Sequence, residues 1–140
     1  MTSDIAIRPC ETADIPSLLQ LWIDAETVAG PTDDASAIEI RLQRDKQLFV
    51  LAVDGERVVG SLMGGWNGWR GDMARLAVHP DYRRRGIARK LISEVETQLR
   101  ELGCSRITSL VFINEPGAPE LWSNAGYEPD PAIGRYFKNI

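Results

Sequence analysis

One segment of this 140-residue sequence constrains the fold more than any other, because it places a strand pattern, a basic turn and a long helix pattern in succession. Residues 72–79 have the composition of a β-strand, and Pro80 ends that strand because proline donates no hydrogen bond to a sheet ladder. From Gly86 to Leu102 the apolar residues recur at helical spacing and form one stripe: Ile87, Leu91, Ile92, Val95, Leu99 and Leu102. A helix with one apolar stripe must bury it against another layer, so the segment predicts a helix packed on a sheet.

Other strand and helix patterns alternate in the N-terminal half of the chain. Residues 5–8 and 48–53 are typical of strands, and Asp54-Gly55 predicts a tight hairpin turn to a partner strand over residues 57–63. Between the first two strands, apolar residues at i, i+3, i+4 and i+7 predict one helix, and a weaker pattern over residues 34–46 predicts a second.

The C-terminal part of the chain predicts three more elements. Residues 106–113 predict a strand buried on both faces, residues 118–125 a short helix, and Tyr127 with residues 135–138 the last strand. The predicted order is β-α-α-β-β-β-α-β-α-β in a single domain over residues 1–140. The predicted class is α/β (α+β), with helices flanking one mixed central sheet.

Composition excludes several other classes of protein and of site. Two cysteines, Cys10 and Cys104, are too few for a disulfide framework or a cysteine-based zinc site, and a single histidine, His79, excludes a histidine-rich metal site. No apolar run reaches the roughly 18 residues that span a membrane, and the N-terminus lacks a signal-peptide pattern. We therefore expect a cytoplasmic protein with no metal and no membrane partner. The net charge of −4 argues against nucleic acid as a partner.

The net charge hides an uneven distribution. Residues 1–56 hold 11 acidic and 4 basic side chains, whereas residues 57–140 hold 9 acidic and 12 basic ones. Five of the 16 basic residues fall between Arg83 and Lys90, at the predicted start of the long helix. Backbone N–H groups and the helix dipole favour an anion at such a helix start, and the small residues Gly86 and Ala88 let a ligand approach the backbone. The pattern predicts a pyrophosphate site, although it has neither the P-loop nor the Rossmann glycine spacing.

The spacing Arg-x-x-Gly-x-Ala, formed by Arg83, Gly86 and Ala88, follows the strand end Leu76–Pro80 and precedes the amphipathic helix. This pattern resembles the coenzyme A motif of the GNAT superfamily of acyl-CoA-dependent N-acetyltransferases. The resemblance extends over nearly the whole chain and includes the predicted hairpin and the segment Leu121–Tyr127. It implies an enzyme that transfers an acetyl group from acetyl-CoA to a primary amine, by direct attack of the amine in a ternary complex.

The resemblance also implies how the coenzyme is bound. The strand before the motif separates from its neighbour, and its backbone pairs with the pantetheine arm of the coenzyme. The backbone N–H of Val78 is implied to act as an oxyanion donor to the thioester oxygen. The residues implied to contact the coenzyme are Leu76, Ala77, Val78, Arg83, Arg84, Arg85, Gly86, Ile87, Ala88, Arg89, Asn114 and Trp122. The pattern around Asn114 is equally consistent with an ordinary turn residue that contacts no ligand.

Trp122 departs from the family pattern. It occupies the position at which the family often has a tyrosine that protonates the departing thiolate, and an indole N–H is not a useful acid. Trp122 could still hold the coenzyme by packing or by donating a hydrogen bond. Three interpretations stay open: another group or water supplies the proton, Tyr127 or Tyr136 replaces the missing phenol, or catalysis is weak or absent.

The resemblance implies an acceptor site between the loop after the first helix and the glycine-rich connection Gly64–Gly71. The candidate acceptor contacts are Trp22, Asp24, Glu26, Trp66 and Trp69. Acidic and aromatic side chains suit a cationic amine, either a small molecule or a peptide, although Trp66 and Trp69 fit a homodimer interface equally well. Asp72, Asp24 and Glu26 are the candidate bases for the amine proton, but each fits an ordinary surface carboxylate more readily.

Two functions of other kinds remain as alternatives. The chain could be a non-catalytic module that binds acyl-CoA as a regulatory ligand, a reading that Trp122 favours. It could also be an acyltransferase for aminoacyl-tRNA, but the basic residues Arg41, Arg44, Arg70 and Arg75 are too scattered to predict an RNA-binding surface. Consumption of acetyl-CoA in the presence of amines separates an enzyme from a binding module.

Overall fold

The computed structural model of the chain describes residues 4–27 and 29–140. Contacts divide the chain into two compact units, of which the first ends at Leu110 and the second begins at Val111. Within the described residues, the first holds a sheet and three α-helices, and the second holds one short α-helix. The single domain expected over residues 1–140 stays a prediction. No helix within the described residues is both long enough and apolar enough to cross a membrane.

The first unit is built on a five-stranded mixed sheet whose strands lie side by side in sequence order. Its strands are β1 (Ile5–Pro9), β2 (Phe49–Asp54), β3 (Arg57–Trp66), β4 (Gly71–Val78) and β5 (Ile107–Ser109). Its helices are α1 (Ile15–Asp24), α2 (Ala35–Leu42) and α3 (Ile87–Glu101). Neighbours from β1 to β4 run antiparallel, whereas β5 runs parallel to β4. A parallel pair needs a crossover connection, which α3 supplies.

Helices cover both faces of this sheet. The buried residues of α1 and α2 form one cluster with Phe49, Leu51 and Val53, which alternate along β2 and so share a face. The predicted apolar stripe of α3 is buried from Ile87 to Leu99 on the opposite face, whereas Leu102, the last predicted member, lies after the helix end and is exposed. These layers confirm the predicted fold class and the predicted amphipathic helix.

The second unit contains α4 (Ala118–Asn124), which confirms the short helix predicted near the C-terminus. Trp122 is buried, and its ring meets that of Tyr127 edge-on with 5.0 Å between the centroids. Gly126 follows the helix with a φ of 96°, a left-handed conformation that glycine adopts without strain. This glycine ends the helix as the sequence predicts.

Two predicted strands near the C-terminus differ from the structure. The apolar run 106–113 forms only the three residues of β5, and beyond them Leu110, Phe112 and Ile113 are 50%, 54% and 76% exposed rather than buried. Apolar composition alone misled here, because pairing with β4 ends at Ser109. No strand forms in residues 125–140, where two prolines lack the N–H that a ladder needs and Asp130 Oδ1 accepts the N–H of Ala132 in a turn (3.0 Å).

Candidate functional site

The edge of β4 opens towards the end of the strand. The register between β4 and β5 pairs residues 71–73 with residues 107–109, and the N–H of Leu110 then donates to Met73 O (3.1 Å). β4 itself continues to Val78, so its last residues extend beyond this pairing. The separation of strands implied by the family resemblance is therefore present at this edge.

A β-bulge lies in β4 just before these last residues. Ser61 pairs with Ala77 and Met63 pairs with Ala74, so two residues of β4, Arg75 and Leu76, stand opposite one residue of β3. Arg75 has a φ of 59°, in the left-handed region that residues with side chains seldom adopt. Bulges bend the strand that carries them and increase its twist. This bulge therefore sets the direction of the segment that follows it.

The hydrogen-bond pattern fixes which way the backbone of Val78 points. The N–H of His79 donates to Val59 O (2.8 Å), and Val78 stands opposite Gly60 one position earlier. In an antiparallel ladder, hydrogen-bonded and non-bonded pairs alternate, so the N–H and C=O of Val78 point away from β3. The same alternation turns the backbone of Ala77 towards Ser61. Val78 therefore directs its N–H at the open edge, whereas Ala77 does not.

A short turn joins the end of β4 to α3. The ring Nδ1 of His79 accepts the N–H of Asp81 (3.1 Å). The O–H of Tyr82 donates to Asp54 (2.6 Å), and this bond raises the pKa of the Tyr82 phenol above its usual value. The guanidinium of Arg85 lies 4.8 Å from the Tyr82 ring centroid. Tyr82 thus anchors the turn to the β2–β3 hairpin.

The start of α3 has the features of an anion site. Gly86 precedes the first helical residue with a φ of 77°, and a Cβ added there would meet no atom within 4 Å. The side chains of Arg83, Arg84, Arg85 and Arg89 are exposed around it, whereas that of Ile87 is buried. The first N–H groups of a helix have no partner within the helix. Backbone donors and positive charge therefore meet at an open space beside Gly86.

The acceptor candidates on α1 and just after it lie in different environments. Trp22 is 4% exposed, and its indole N–H donates to the buried Ser61 hydroxyl (3.0 Å), so it is part of the core rather than of an open surface. Asp24 Oδ2 lies 3.6 Å from His79 Nε2, which brings the end of α1 next to the end of β4. Glu26 follows α1 with a φ of 56°. Asp24 is therefore an acidic candidate that the structure places against His79, the residue after Val78.

The structure does not bring Asp72 to Val78. The two residues lie six positions apart on β4, on opposite sides of the bulge at Arg75 and Leu76. Asp72 instead lines a cavity of about 250 Å³ at the β3–β4 connection, together with Arg41, Arg44, Asp45, Gly65, Trp66 and Asn67. Burial lowers the pKa of Arg41 in this cavity. Trp69, also at this connection, is 69% exposed and stacks on Arg70.

The remaining candidates lie in the second unit or carry no reactive group. Asn114 is exposed in a turn, and Trp122 is buried, so a coenzyme contact by either residue stays a prediction. Burial raises the pKa of Cys10 to about 12, which keeps its thiol protonated and unreactive. Among the described residues no group of three metal-ligating side chains occurs.

Two features of the site were missed in the sequence. The hydroxyl of Ser61 donates to the carbonyl of the bulge residue Arg75 (3.1 Å). The guanidinium of Arg75 pairs with Asp33, in the loop between α1 and α2. Ser61 could have been noticed as a polar residue inside an apolar strand, but no sequence signal marks Arg75 as left-handed.

Comparison with known proteins gives a consistent result. A model described as the Acetyltransferase (GNAT) family matches residues 15–127. An acetyltransferase of Sodalis glossinidius is 35% identical over 127 residues, which cover 91% of this chain and 89% of the relative. A GNAT family protein of Streptococcus pneumoniae superposes with a TM-score of 0.76 at 23% identity, covering 97% of this chain and 98% of that one. An aminoglycoside N-acetyltransferase in complex with CoA gives a TM-score of 0.74 at 19% identity and covers 100% and 98%.

Proposed function

Because this chain belongs to the GNAT family of acetyltransferases and is an acyltransferase, we propose that it transfers an acetyl group from acetyl-CoA to a primary amine in a ternary complex. The observation that carries this proposal is the succession of an open β4 edge and an open, left-handed Gly86 at the start of α3. The first offers backbone groups to an extended chain, and the second offers donors to a pyrophosphate. An extended pantetheine arm and a pyrophosphate are the two parts of coenzyme A that such a site would bind.

The residues present fit coenzyme A in shape and in charge. The open space at Gly86 leaves room for a phosphate against the backbone, and no acidic side chain occupies the first turn of α3. Arg83, Arg84, Arg85 and Arg89 would add positive charge around it. Leu76 and Val78 would pair with the pantetheine arm. The predicted contacts by Ile87 and Ala88 would then involve backbone or packing, since the Ile87 side chain is buried. The predicted contact by Ala77 is the least favoured, because its backbone points to Ser61 and its side chain is buried in the core.

Acetyl-CoA supplies the acetyl group as a thioester, so a C–N bond to the amine forms as the C–S bond breaks, and a proton passes from nitrogen to the thiolate or to solvent. The chain's own part is to hold the reactants and to stabilise developing charge. The N–H of Val78 points at the open edge and would donate to the thioester oxygen. Asp24, beside His79, is placed better than Asp72 to accept the amine proton directly or through water.

The acceptor is proposed to be a cationic primary amine. Asp24 and Glu26 would attract it to the end of α1, next to the open edge of β4. One protein of similar structure is an aminoglycoside N-acetyltransferase, which supports an amine acceptor as a class. A small-molecule amine, a peptide N-terminus and a lysine side chain all have this chemistry.

The test of this function is release of the coenzyme A thiol from acetyl-CoA, followed with a thiol-reactive dye against a library of polyamines, aminoglycosides and peptides. We expect release that depends on one class of amine and that vanishes when that amine is already acetylated. A charged aminoacyl-tRNA in the same assay serves as the comparison for the alternative acceptor. Coenzyme binding without turnover across the whole library would instead favour a regulatory module.

Trp122→Tyr tests the departure from the family pattern. If the chain only lacks a phenol at this position, tyrosine should keep or raise turnover, because a phenol can protonate a thiolate and an indole cannot. Steady-state kcat is the readout, with the Kd for coenzyme A measured alongside it. Trp122→Phe is the matched control, since it has the ring without the hydroxyl. A large fall in kcat for Trp122→Tyr with unchanged coenzyme affinity would contradict the idea.

A further inference from the structure

Ser61 has no exposed surface, although a buried hydroxyl costs stability unless its hydrogen bonds are made. Two hydrogen bonds satisfy this hydroxyl. The indole N–H of Trp22 donates to Ser61 Oγ (3.0 Å), and Ser61 Oγ donates to Arg75 O (3.1 Å). The hydroxyl thus links the last turn of α1 to the backbone of β4.

The carbonyl that Ser61 holds belongs to the bulge. Arg75 has the left-handed φ of 59° that the bulge requires, and such a conformation persists only where the surroundings enforce it. The register shift removes Arg75 from one-to-one pairing with β3, and the Ser61 hydroxyl provides its carbonyl with a donor. Ser61 therefore contributes to the geometry of the bulge rather than to apolar packing.

Arg75 is held on its side-chain end as well. Its guanidinium pairs with Asp33, and its Cζ lies 5.6 Å from the Trp22 ring centroid. The loop backbone comes close, since a Cβ added at Gly30 would lie 3.1 Å from Arg75 Nη2. Trp22 thus contacts the side chain of Arg75 directly and its carbonyl through Ser61.

We propose that Ser61 is a positioning residue for the reaction: its hydroxyl fixes the Arg75 bulge and thereby sets the direction of the β4 segment Leu76–Val78 that would receive the coenzyme. The proposal rests on the proposed function, because it assigns Ser61 a role at the coenzyme site. Ser61 itself touches neither reactant. It acts through the backbone of β4, two to three residues before Val78.

A merely structural hydroxyl would lower stability without changing the geometry of the open edge. The experiment therefore compares Ser61→Ala with Ser61→Thr, which keeps the hydroxyl, and with Ile38→Val, a conservative change at a buried α2 residue of the same core. Calorimetry with coenzyme A gives the Kd for each variant well below its unfolding temperature. Amide chemical shifts of Leu76, Ala77 and Val78 report the geometry of the segment without any ligand.

For Ser61→Ala we expect coenzyme A binding to weaken about tenfold. The variant loses the hydrogen bond from Ser61 to Arg75 O, which holds the bulge in the geometry that the coenzyme needs. The three amide shifts should move, while Ile38→Val changes neither readout and Ser61→Thr restores most of the affinity. Unchanged amide shifts and unchanged affinity in Ser61→Ala would overturn the proposal. If Ser61→Ala does not fold, Ser61→Cys is judged by the same criteria, because a thiol is a weaker donor of similar size.

The two proposals fail in different ways. If the unaltered protein does not bind coenzyme A, the proposed function fails, and the amide shifts alone then decide whether Ser61 fixes the bulge. If the unaltered protein binds and Ser61→Ala binds equally well with unchanged amide shifts, only the positioning role fails.

Discussion

Coenzyme A binding should fall by at least about a hundredfold when Gly86 is replaced by leucine, while the chain stays folded. The added side chain fills the open space at the start of α3 and blocks the approach of a phosphate to the backbone. It meets no other atom within 4 Å at its Cβ, so the cost to stability is that of a left-handed leucine, about 1–2 kcal/mol. Calorimetric titration with coenzyme A measures the affinity, and urea unfolding measures the stability.

Gly103 provides the matched control for that substitution. It lies just after the other end of α3, has a φ of 95°, and a Cβ there would also meet nothing within 4 Å. Gly103→Leu should therefore cost about the same stability through the same backbone strain, roughly 1–2 kcal/mol, but leave coenzyme affinity unchanged. If both variants lost affinity equally, backbone strain rather than the open space at Gly86 would be responsible.

Gly64→Ala should destabilise the protein by about 1–3 kcal/mol, because it overfills the contact between β3 and α3. The new Cβ would lie 2.6 Å from Val95 Cγ1 and 3.0 Å from Leu48 O, and real Cβ contacts are not so short. Urea unfolding of the variant measures the loss. This contact supports the site, since it sets where α3 lies on the sheet and hence where Gly86 is held.

Val95→Ala in the Gly64→Ala background tests the cause of that loss. Removing the Val95 methyl groups makes room, so the double variant should lose about 1 kcal/mol less than the two single losses summed. The rescue should be partial, because the backbone oxygen of Leu48 stays close to the added Cβ. Strictly additive losses would show that Gly64 and Val95 do not compete for the same space.

The elements that the sequence predicts best are those with strong local signals. The stripe of α3, the hairpin after β2 and the basic turn before Gly86 are formed by neighbouring residues, and all three are present. Two details differ from the prediction: Leu102 lies beyond α3, and the hairpin turn is Gly55-Glu56 because Asp54 still pairs with Arg57. Pairing between distant segments is harder to read. The run 106–113 is as apolar as a buried strand, yet only Ile107–Ser109 pairs with β4.

The candidate site shows the same difference between local patterns and contacts of distant residues. Gly86 was found because glycine before an amphipathic helix is a local pattern. The bulge was not found, because nothing in the residue type of Arg75 indicates a left-handed backbone, and its supports Ser61 and Asp33 lie 14 and 42 positions away in sequence. Trp22 was assigned to the acceptor by residue type, whereas its burial depends on the packing of α1 against the sheet.

A crystal structure with bound acetyl-CoA tests the central claim most directly, since it shows where the coenzyme lies. The account predicts that the pyrophosphate lies against the backbone N–H groups of residues 84–88. It predicts that the pantetheine arm lies along Leu76–Val78. The thioester oxygen should lie within hydrogen-bond distance of the Val78 N–H. A coenzyme bound elsewhere, or one whose phosphates leave the space beside Gly86 empty, would contradict the account.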